Sequence, residues 1–426
     1  MIDIKYIREK FSELEKALEK RGVKIPLDEV REWDTQRRKI VTEIDALRSE
    51  RKKLSDEVAD CKKKNKPCDK IIAQSESLRE KIKEKEKFFL TLEQNIEDFL
   101  LRIPNILDET VPEGKCDADN VVIRTFGSPE DIQKKFKFEP RPHWEVGTTL
   151  DILDFETASK ISGSRFYILK KAGAALERAL IYFMIDVHTK ERGYTEIFAP
   201  YLVNKKAITG TGQLPKFEIE VFKCRDDDLY LIPTAEVSIT NLHQDEIIPE
   251  EELPQKYVSY SACFRREAGS YGKDTRGVIR VHQFNKVELV MFVKPEESAA
   301  QLEALTKDAE EILKKLNLPY RVRELCSGDM GFAASKTYDL DVWMPGEKTW
   351  REVSSCSNFK DFQARRLNIK VKRKDGSKDF IHTINGSGLA VGRTFAAVIE
   401  NYQSADGTVE VPAVLRPYLG ADVITR

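Results

Sequence analysis

Arg265, Arg266 and Glu267 close one apolar run, Phe284, Lys286 and Glu288 sit in a second, and between them lies a charged, glycine-containing loop, Tyr271 to Gly277. Two strand-like runs around such a loop predict a β-hairpin. Along its second strand a period of two puts His282, Phe284, Lys286 and Glu288 on one face and Val281, Gln283, Asn285 and Val287 on the other. An arginine, an aromatic ring and a carboxylate converging on one sheet face can clamp an anion, stack on a base and read an amine. A surface hairpin laced with cross-strand ion pairs uses the same residue types and binds nothing. His282 has the chemistry of a general base, but its place in an alternating strand favours a structural role. Cys263 and Cys356 read as small buried hydrophobes, because nothing nearby asks for a thiolate.

The hairpin needs a scaffold, and from about Val121 the composition is that of a mixed domain. Ala172 to Glu191 and Glu296 to Leu316 have helical periodicity, while Lys256 to Phe264, Gly277 to Val293 and Tyr338 to Trp343 are rich in β-formers. That mixture predicts an α+β domain rather than a regular βαβ alternation. Neither a G-x-x-x-x-G-K-[ST] loop nor a G-x-G-x-x-G fingerprint occurs, so a nucleotide would have to be held in another way. Gly386, Gly388 and Gly392 alone are weak evidence for phosphate binding, since close backbone contacts and helix starts use the same residues.

The first hundred residues differ. Val30, Trp33, Arg37, Ile40, Ile44, Leu47, Arg51, Leu54, Val58 and Cys61 step by three and four, and Ile71, Ser75, Leu78, Ile82, Lys85, Phe89, Leu92, Ile96, Phe99 and Ile103 repeat the pattern. Asn65 and Pro67 interrupt the two runs, which predicts an antiparallel helical coiled-coil arm, each limb about 50 Å long. Ile2 to Lys20 reads as a shorter amphipathic helix ended at Arg21-Gly22. The expected domains are 1–103, a linker 104–120, and 121–426.

Across all 426 residues, 71 Lys and Arg balance 72 Asp and Glu for a net charge of −1, so a nucleic-acid partner would depend on local basic clusters. Seven cysteines without a CxxC pair disfavour both a secreted disulfide framework and a structural zinc site. Cys61 and Cys68 flank the arm turn, and their pairing is one option there. No run approaches the roughly 20 apolar residues of a membrane span, and Met1 opens onto a charged amphipathic stretch, so the expected location is the cytoplasm.

FRREAGSYGKDTRGVIRVHQFNKVEL resembles motif 2 of the seryl-tRNA synthetases, and the run from Asn385 to Gln403 resembles their motif 3. Gly193 to Pro200 resembles motif 1, Pro233-Thr-Ala-Glu236 resembles the serine-binding TAE loop, and Glu352 to Asn358 resembles the EVSSCSN strand. The N-terminal hairpin is similar to the family's tRNA-binding arm, so the likeness covers essentially the whole chain. It implies a class II catalytic domain, an antiparallel sheet flanked by helices. Arg266 stands where serine is common in the family, and the long arm and TAE loop set the chain apart from both the zinc-dependent archaeal variety and relatives that charge a carrier protein.

The resemblance also implies roles. Arg265 would bind the ATP α-phosphate and the serine carboxylate, Glu267 the adenine amino group, and Phe284 and Arg393 the two faces of the adenine ring, with Arg393 reaching the γ-phosphate. Arg266, Val281, Val353 and Ser354 would complete the ATP site. Glu352 and Ser355 would hold Mg²⁺, a hard cation that takes oxygen ligands. Thr234, Ala235, Glu236, Glu288, Asn385 and Ser387 would surround the serine. Catalytic residues would be Arg265, Glu352 and Arg393, acting by position and charge on formation of seryl adenylate and its transfer to tRNA. Expected partners are tRNA(Ser), tRNA(Sec), L-serine and a second copy of the chain, with no zinc and no membrane.

Overall fold

The computed structural model describes residues 1–269 and 276–426, so most of the hairpin loop, 270–275, lies outside the described residues. The chain divides into two compact units, one formed by Ile2–Pro104 and the other by Asn105–Arg426 together with Met1.

In the first unit, α1 (Ile4–Glu9) starts after Asp3, whose carboxylate accepts the Lys5 N–H at 2.8 Å, and α2 spans Phe11–Lys20. The single helix expected from Ile2 to Lys20 is therefore two, parted at Lys10 (φ −134°, ψ 37°). Gly22 ends α2 at φ +67°, with its N–H on the Glu19 carbonyl and that of Val23 on Leu18, a left-handed closure that glycine adopts without a Cβ penalty. The coiled-coil limbs are α3 (Leu27–Lys63) and α4 (Asp69–Leu100). At about 1.5 Å per residue, the first of these is about 55 Å long.

The heptad positions Val30, Ile40, Ile44, Leu78, Ile82, Leu92 and Ile96 are buried between the limbs, while Arg51, expected on that seam, is exposed. Arg37 and Arg48 of α3 reach Glu93 and Glu86 of α4 at 3.1 and 2.8 Å, flanking ion pairs that fix the antiparallel register. Asp34, which periodicity alone leaves among the surface charges, is 1% exposed and takes Arg8, Arg37 and Arg38. Asn65 takes φ +49° in the turn. Cys61 and Cys68 beside it are free thiols, so the pairing considered above is not formed.

The second unit is built on one sheet. Its strands are β1 (Val121–Phe126), β2 (Thr195–Glu196), β3 (Gln255–Phe264), β4 (Gln283–Val293), β5 (Tyr320–Glu324), β6 (Lys336–Met344), β7 (Thr349–Lys360) and β8 (His382–Ala390). They lie in the order β1-β5-β6-β7-β8-β4-β3-β2, antiparallel except at the β2 edge. Along β4, Val287, Leu289, Met291 and Val293 join one large core with α5 (Ala172–Asp186), α6 (Ser298–Lys315) and α7 (Val391–Asn401). The alternate residues Val290 and Phe292 pack instead with Ala235, Ile239, Ala364 and Leu367. Period two thus gives the sheet one face covered by long helices and another free, in its central part, to carry a site.

Residues 105–120, linker-like in composition, are fastened to this unit. Asn105 Nδ2 donates to the carbonyls of Ala333 and Phe359 at 2.9 and 2.8 Å, and the Asp108 N–H donates to Ser335. Strand β4 starts at Gln283 rather than Gly277, because the main chain before it is diverted: the Val278 N–H donates to His143 and that of His282 to the Arg165 carbonyl.

Candidate active site

A cavity of about 510 Å³ opens over β4, β7 and β8. From β4 come Phe284, Lys286 and Glu288, all on the face that alternation assigns them. Opposite them, β8 supplies Asn385 and Ser387, with Ser387 directly paired to Glu288 in register. Strand β7 supplies Glu352, Val353, Ser355 and Ser357. An unbroken strand would put Glu352 and Ser355 on opposite faces. The pairing with β6 steps from Leu340–Ser354 to Asp341–Glu352, and this bulge at Val353 turns both side chains to the cavity.

The two ends differ in burial and charge. At the inner end Glu288 is 1% and Glu236 6% exposed. Glu288 is met by the Lys286 ammonium at 2.5 Å and accepts from Asn385 Nδ2 at 3.0 Å. Glu236, at the start of the short helix Glu236–Thr240, accepts from Gln363 Nε2 at 2.6 Å. Burial, and then the charge of Glu288, push the Glu236 carboxyl up to about 7. Thr234 stands beside it in the cavity wall.

At the outer end arginines dominate. The Arg265 guanidinium lies 5.1 Å from the Phe284 ring centre, and its Nε donates to the Pro233 carbonyl at 3.3 Å. Glu267 takes φ +50° and is paired with Arg280 at 2.8 Å. Arg393, in the first turn of α7, donates to the main-chain carbonyls of Glu352 and Ile279 at 2.7 and 3.3 Å, and lies 3.5 Å from the Glu352 carboxylate. Behind Ser355 and Glu352, the Asp339 carboxyl is pushed well above its usual range by burial and by Glu352, and its Oδ1 has no hydrogen-bond partner among the described residues.

The structure brings Arg265, Glu267, Val281, Phe284, Glu352, Val353, Ser355 and Arg393 to this cavity, along with Thr234, Glu236, Glu288, Asn385 and Ser387. Three expected residues do not line it. Arg266 is exposed, with its N–H on the Glu220 carbonyl; Ala235 is packed against Ile239 and Ile248; Ser354 points to the far side of β7, donating its hydroxyl to the Ser387 carbonyl at 2.6 Å. His282 lies against Phe166 and Phe222, outside the cavity. Cys263 and Cys356 are buried, and burial raises both thiols, that of Cys356 to about 12. Lys286, Arg280, Gln213, Phe217 and Ser357 line the cavity without having been assigned to it. The alternation of β4 already placed Lys286 beside Glu288; Gln213 and Phe217 come from a distant loop with no comparable signal.

Residues 1–107 match the model of the seryl-tRNA synthetase N-terminal domain, and residues 217–402 match that of the class II tRNA synthetase core domain (G, H, P, S and T). The serine–tRNA ligase of Thermodesulfovibrio yellowstonii is 55% identical over 428 residues, covering 100% of both chains. That of Trichlorobacter lovleyi is 53% identical over 421 residues, covering 99% of this chain and 98% of its own. The seryl-tRNA synthetase of Pyrococcus horikoshii, solved in complex with ATP, superposes with a TM-score of 0.92 at 40% identity over 100% of this chain and 99% of that one. The chain belongs to the serine–tRNA ligases, class II synthetases that attach serine to tRNA.

Proposed function

We propose that the cavity activates serine with ATP and then transfers the seryl group to the 3′ end of tRNA(Ser), with the arginine end holding the nucleotide and the carboxylate end holding the amino acid. The observation that carries this reading is the meeting, in one cavity, of Arg265, Phe284 and Arg393 with Glu236, Glu288 and Asn385. The serine carboxylate attacks the α-phosphorus, a phosphorus–oxygen bond to it forms, and pyrophosphate leaves with the electron pair of the broken bond. Arg265 and Arg393 supply positive charge where negative charge builds up, and the fixed geometry of the cavity brings the reacting groups into line. In the second step a terminal ribose hydroxyl of the tRNA attacks the acyl carbon and AMP leaves. No protein nucleophile is needed.

Glu236 and Glu288 oppose the serine ammonium, and Thr234, Asn385 and Ser387 hydrogen-bond its polar groups. A pocket that pairs its buried polar atoms with a hydroxyl rejects alanine, which would leave them unpaired. Glu267 reads the adenine amino group and Phe284 stacks on the ring. The oxygen donors of Glu352 and Ser355, beside the unpartnered Asp339 Oδ1, fit Mg²⁺. When bound with ATP, the ion would neutralise phosphate charge.

The arm, including Lys62 to Lys66 at its tip, contacts the tRNA backbone by charge and shape, and tRNA(Sec) is read by the same means. The motif 1 segment meets a second copy of the chain, for which Phe198, 84% exposed, and Tyr182, 54% exposed, offer apolar surface. Among the described residues no helix is long and apolar enough to cross a membrane, and the cytoplasm is the place where the substrates occur together.

Serine-dependent ATP/pyrophosphate exchange tests the reading, with alanine, threonine and glycine as controls. Exchange is expected with serine alone, and Arg265→Ala is expected to lower it by about 10²–10³-fold. Exchange in no amino acid's presence, with the protein folded, would overturn it.

A further inference from the structure

The arginine end of the cavity stands on a pair of residues that do not touch it. Glu400 lies in α7, seven residues beyond Arg393, and is 0% exposed. Its Oε1 accepts from the main-chain N–H of His143 at 2.9 Å and faces His143 Nδ1 at 2.8 Å. Its Oε2 accepts from the N–H groups of Gly346 and Glu347 at 2.8 and 3.3 Å. His143, also 0% exposed, accepts the Val278 N–H on Nε2 at 3.1 Å. That bond requires the ring proton on Nδ1, where it is donated to Glu400.

Val278 begins the stretch, Val278 to Val281, that forms the cavity wall at its arginine end. The next residue, Ile279, offers its carbonyl to Arg393 Nε at 3.3 Å, and the one after, Arg280, pairs with Glu267 at 2.8 Å. A closed path therefore runs from Glu400 through His143 to Val278 and Ile279, and back through Arg393 into the helix that carries Glu400. Gly277, at φ +73°, lets the chain pass, since a Cβ there would stand 2.2 Å from His143 Nε2.

Ligand atoms of His143, Glu347 and Glu400 lie within 4.8 Å of one another. A metal ion is nevertheless a poor occupant: both Glu400 oxygens and both His143 nitrogens already have hydrogen-bond partners, and an ion would have to displace main-chain N–H donors.

We propose that His143 and Glu400 are positioning residues for the ATP end of the site, setting Arg393 and Arg280 against the nucleotide while leaving the serine end alone. The inference rests on the assignment of that end to ATP.

The test is ATP/pyrophosphate exchange in the full chain, with KM for ATP and for serine measured separately in wild type, His143→Phe and His143→Gln. Phenylalanine keeps the ring but neither hydrogen bond; glutamine keeps an acceptor and a donor. The expected result is a rise in KM for ATP of about tenfold in His143→Phe, the size of one buried hydrogen bond, with KM for serine within about twofold and most of the loss recovered in His143→Gln. Unchanged KM for ATP, or an equal rise in both constants, would overturn the inference. If His143→Phe does not fold, Glu400→Gln is expected to give the same split. If neither folds, the pair serves the fold alone and the inference fails. Absence of exchange in the wild type would instead remove the ATP assignment itself.

Discussion

The inner end of the cavity and its outer end use charge in opposite ways. Inside, Glu288 and Lys286 are both buried and satisfy one another across a single strand repeat, so each fixes the other and neither can be removed cheaply. Outside, Glu267 with Arg280 and Glu352 with Arg393 are partly open to water, where an ion pair is worth little to the fold and its members remain available to a ligand. On the proposed reading, the dry end takes a small zwitterion and the wet end a polyanion. On that reading, discrimination between amino acids belongs where desolvation makes an unmatched group expensive, and a triphosphate belongs where charge is met by several partly solvated guanidinium groups.

The largest expected effect breaks the inner pair. Glu288→Gln leaves the Lys286 ammonium without its counter-charge and should cost about 3–5 kcal/mol of stability, measured as a lowered melting temperature alongside lost serine activation. A Glu288→Gln protein as stable as the wild type would erase the contrast between the two ends.

A second effect concerns pH. The Glu236 carboxyl, raised to about 7, is protonated below that value and anionic above it. On the proposed assignment the serine ammonium pairs with the Glu236 anion, so binding releases a proton below pH 7. KM for serine should therefore fall about tenfold per pH unit up to about 7 and then level off. Glu236→Gln should flatten that dependence while KM for ATP keeps its own profile.

The smallest effect lies outside. Glu267→Gln should change stability by less than about 1 kcal/mol, yet raise KM for ATP and leave KM for serine unchanged. A melting temperature that drops as far as in Glu288→Gln would show the outer pairs to be structural after all.

Much of this was legible in order along the chain. The seam of α3 and α4 follows from steps of three and four because a helix buries only residues that its own period brings together. The face of β4 carrying Phe284, Lys286 and Glu288 follows from a period of two in the same way. What could not be read depends on other segments. The bulge at Val353 is set by pairing with β6, and it decides that Glu352 and Ser355 share a face while Ser354 leaves it. Asp34 reads as a surface charge until Arg8, from another helix, covers it. The start of β4 at Gln283 is fixed by His143 and Arg165, far away in sequence, and Gln213 and Phe217 enter the cavity by the same kind of long-range placement. Ala235 sits within a motif that resembles the serine-binding loop, but its own side chain is needed by the core beneath.

The strand order has a consequence for how the molecule comes into being. β8, which contains Asn385 and Ser387, occupies the middle of the sheet between β7 and β4, yet it is the last of the eight strands to be synthesised. Until the ribosome has passed residue 390, β7 and β4 each present an unpaired edge to any neighbour able to add a strand. The N-terminal unit, with its contacts within residues 2–104, has no such debt. Translation thus completes the helical arm early, while the centre of the other unit's sheet stays open to mispairing until nearly the end, the kind of long-range pairing that folds slowly.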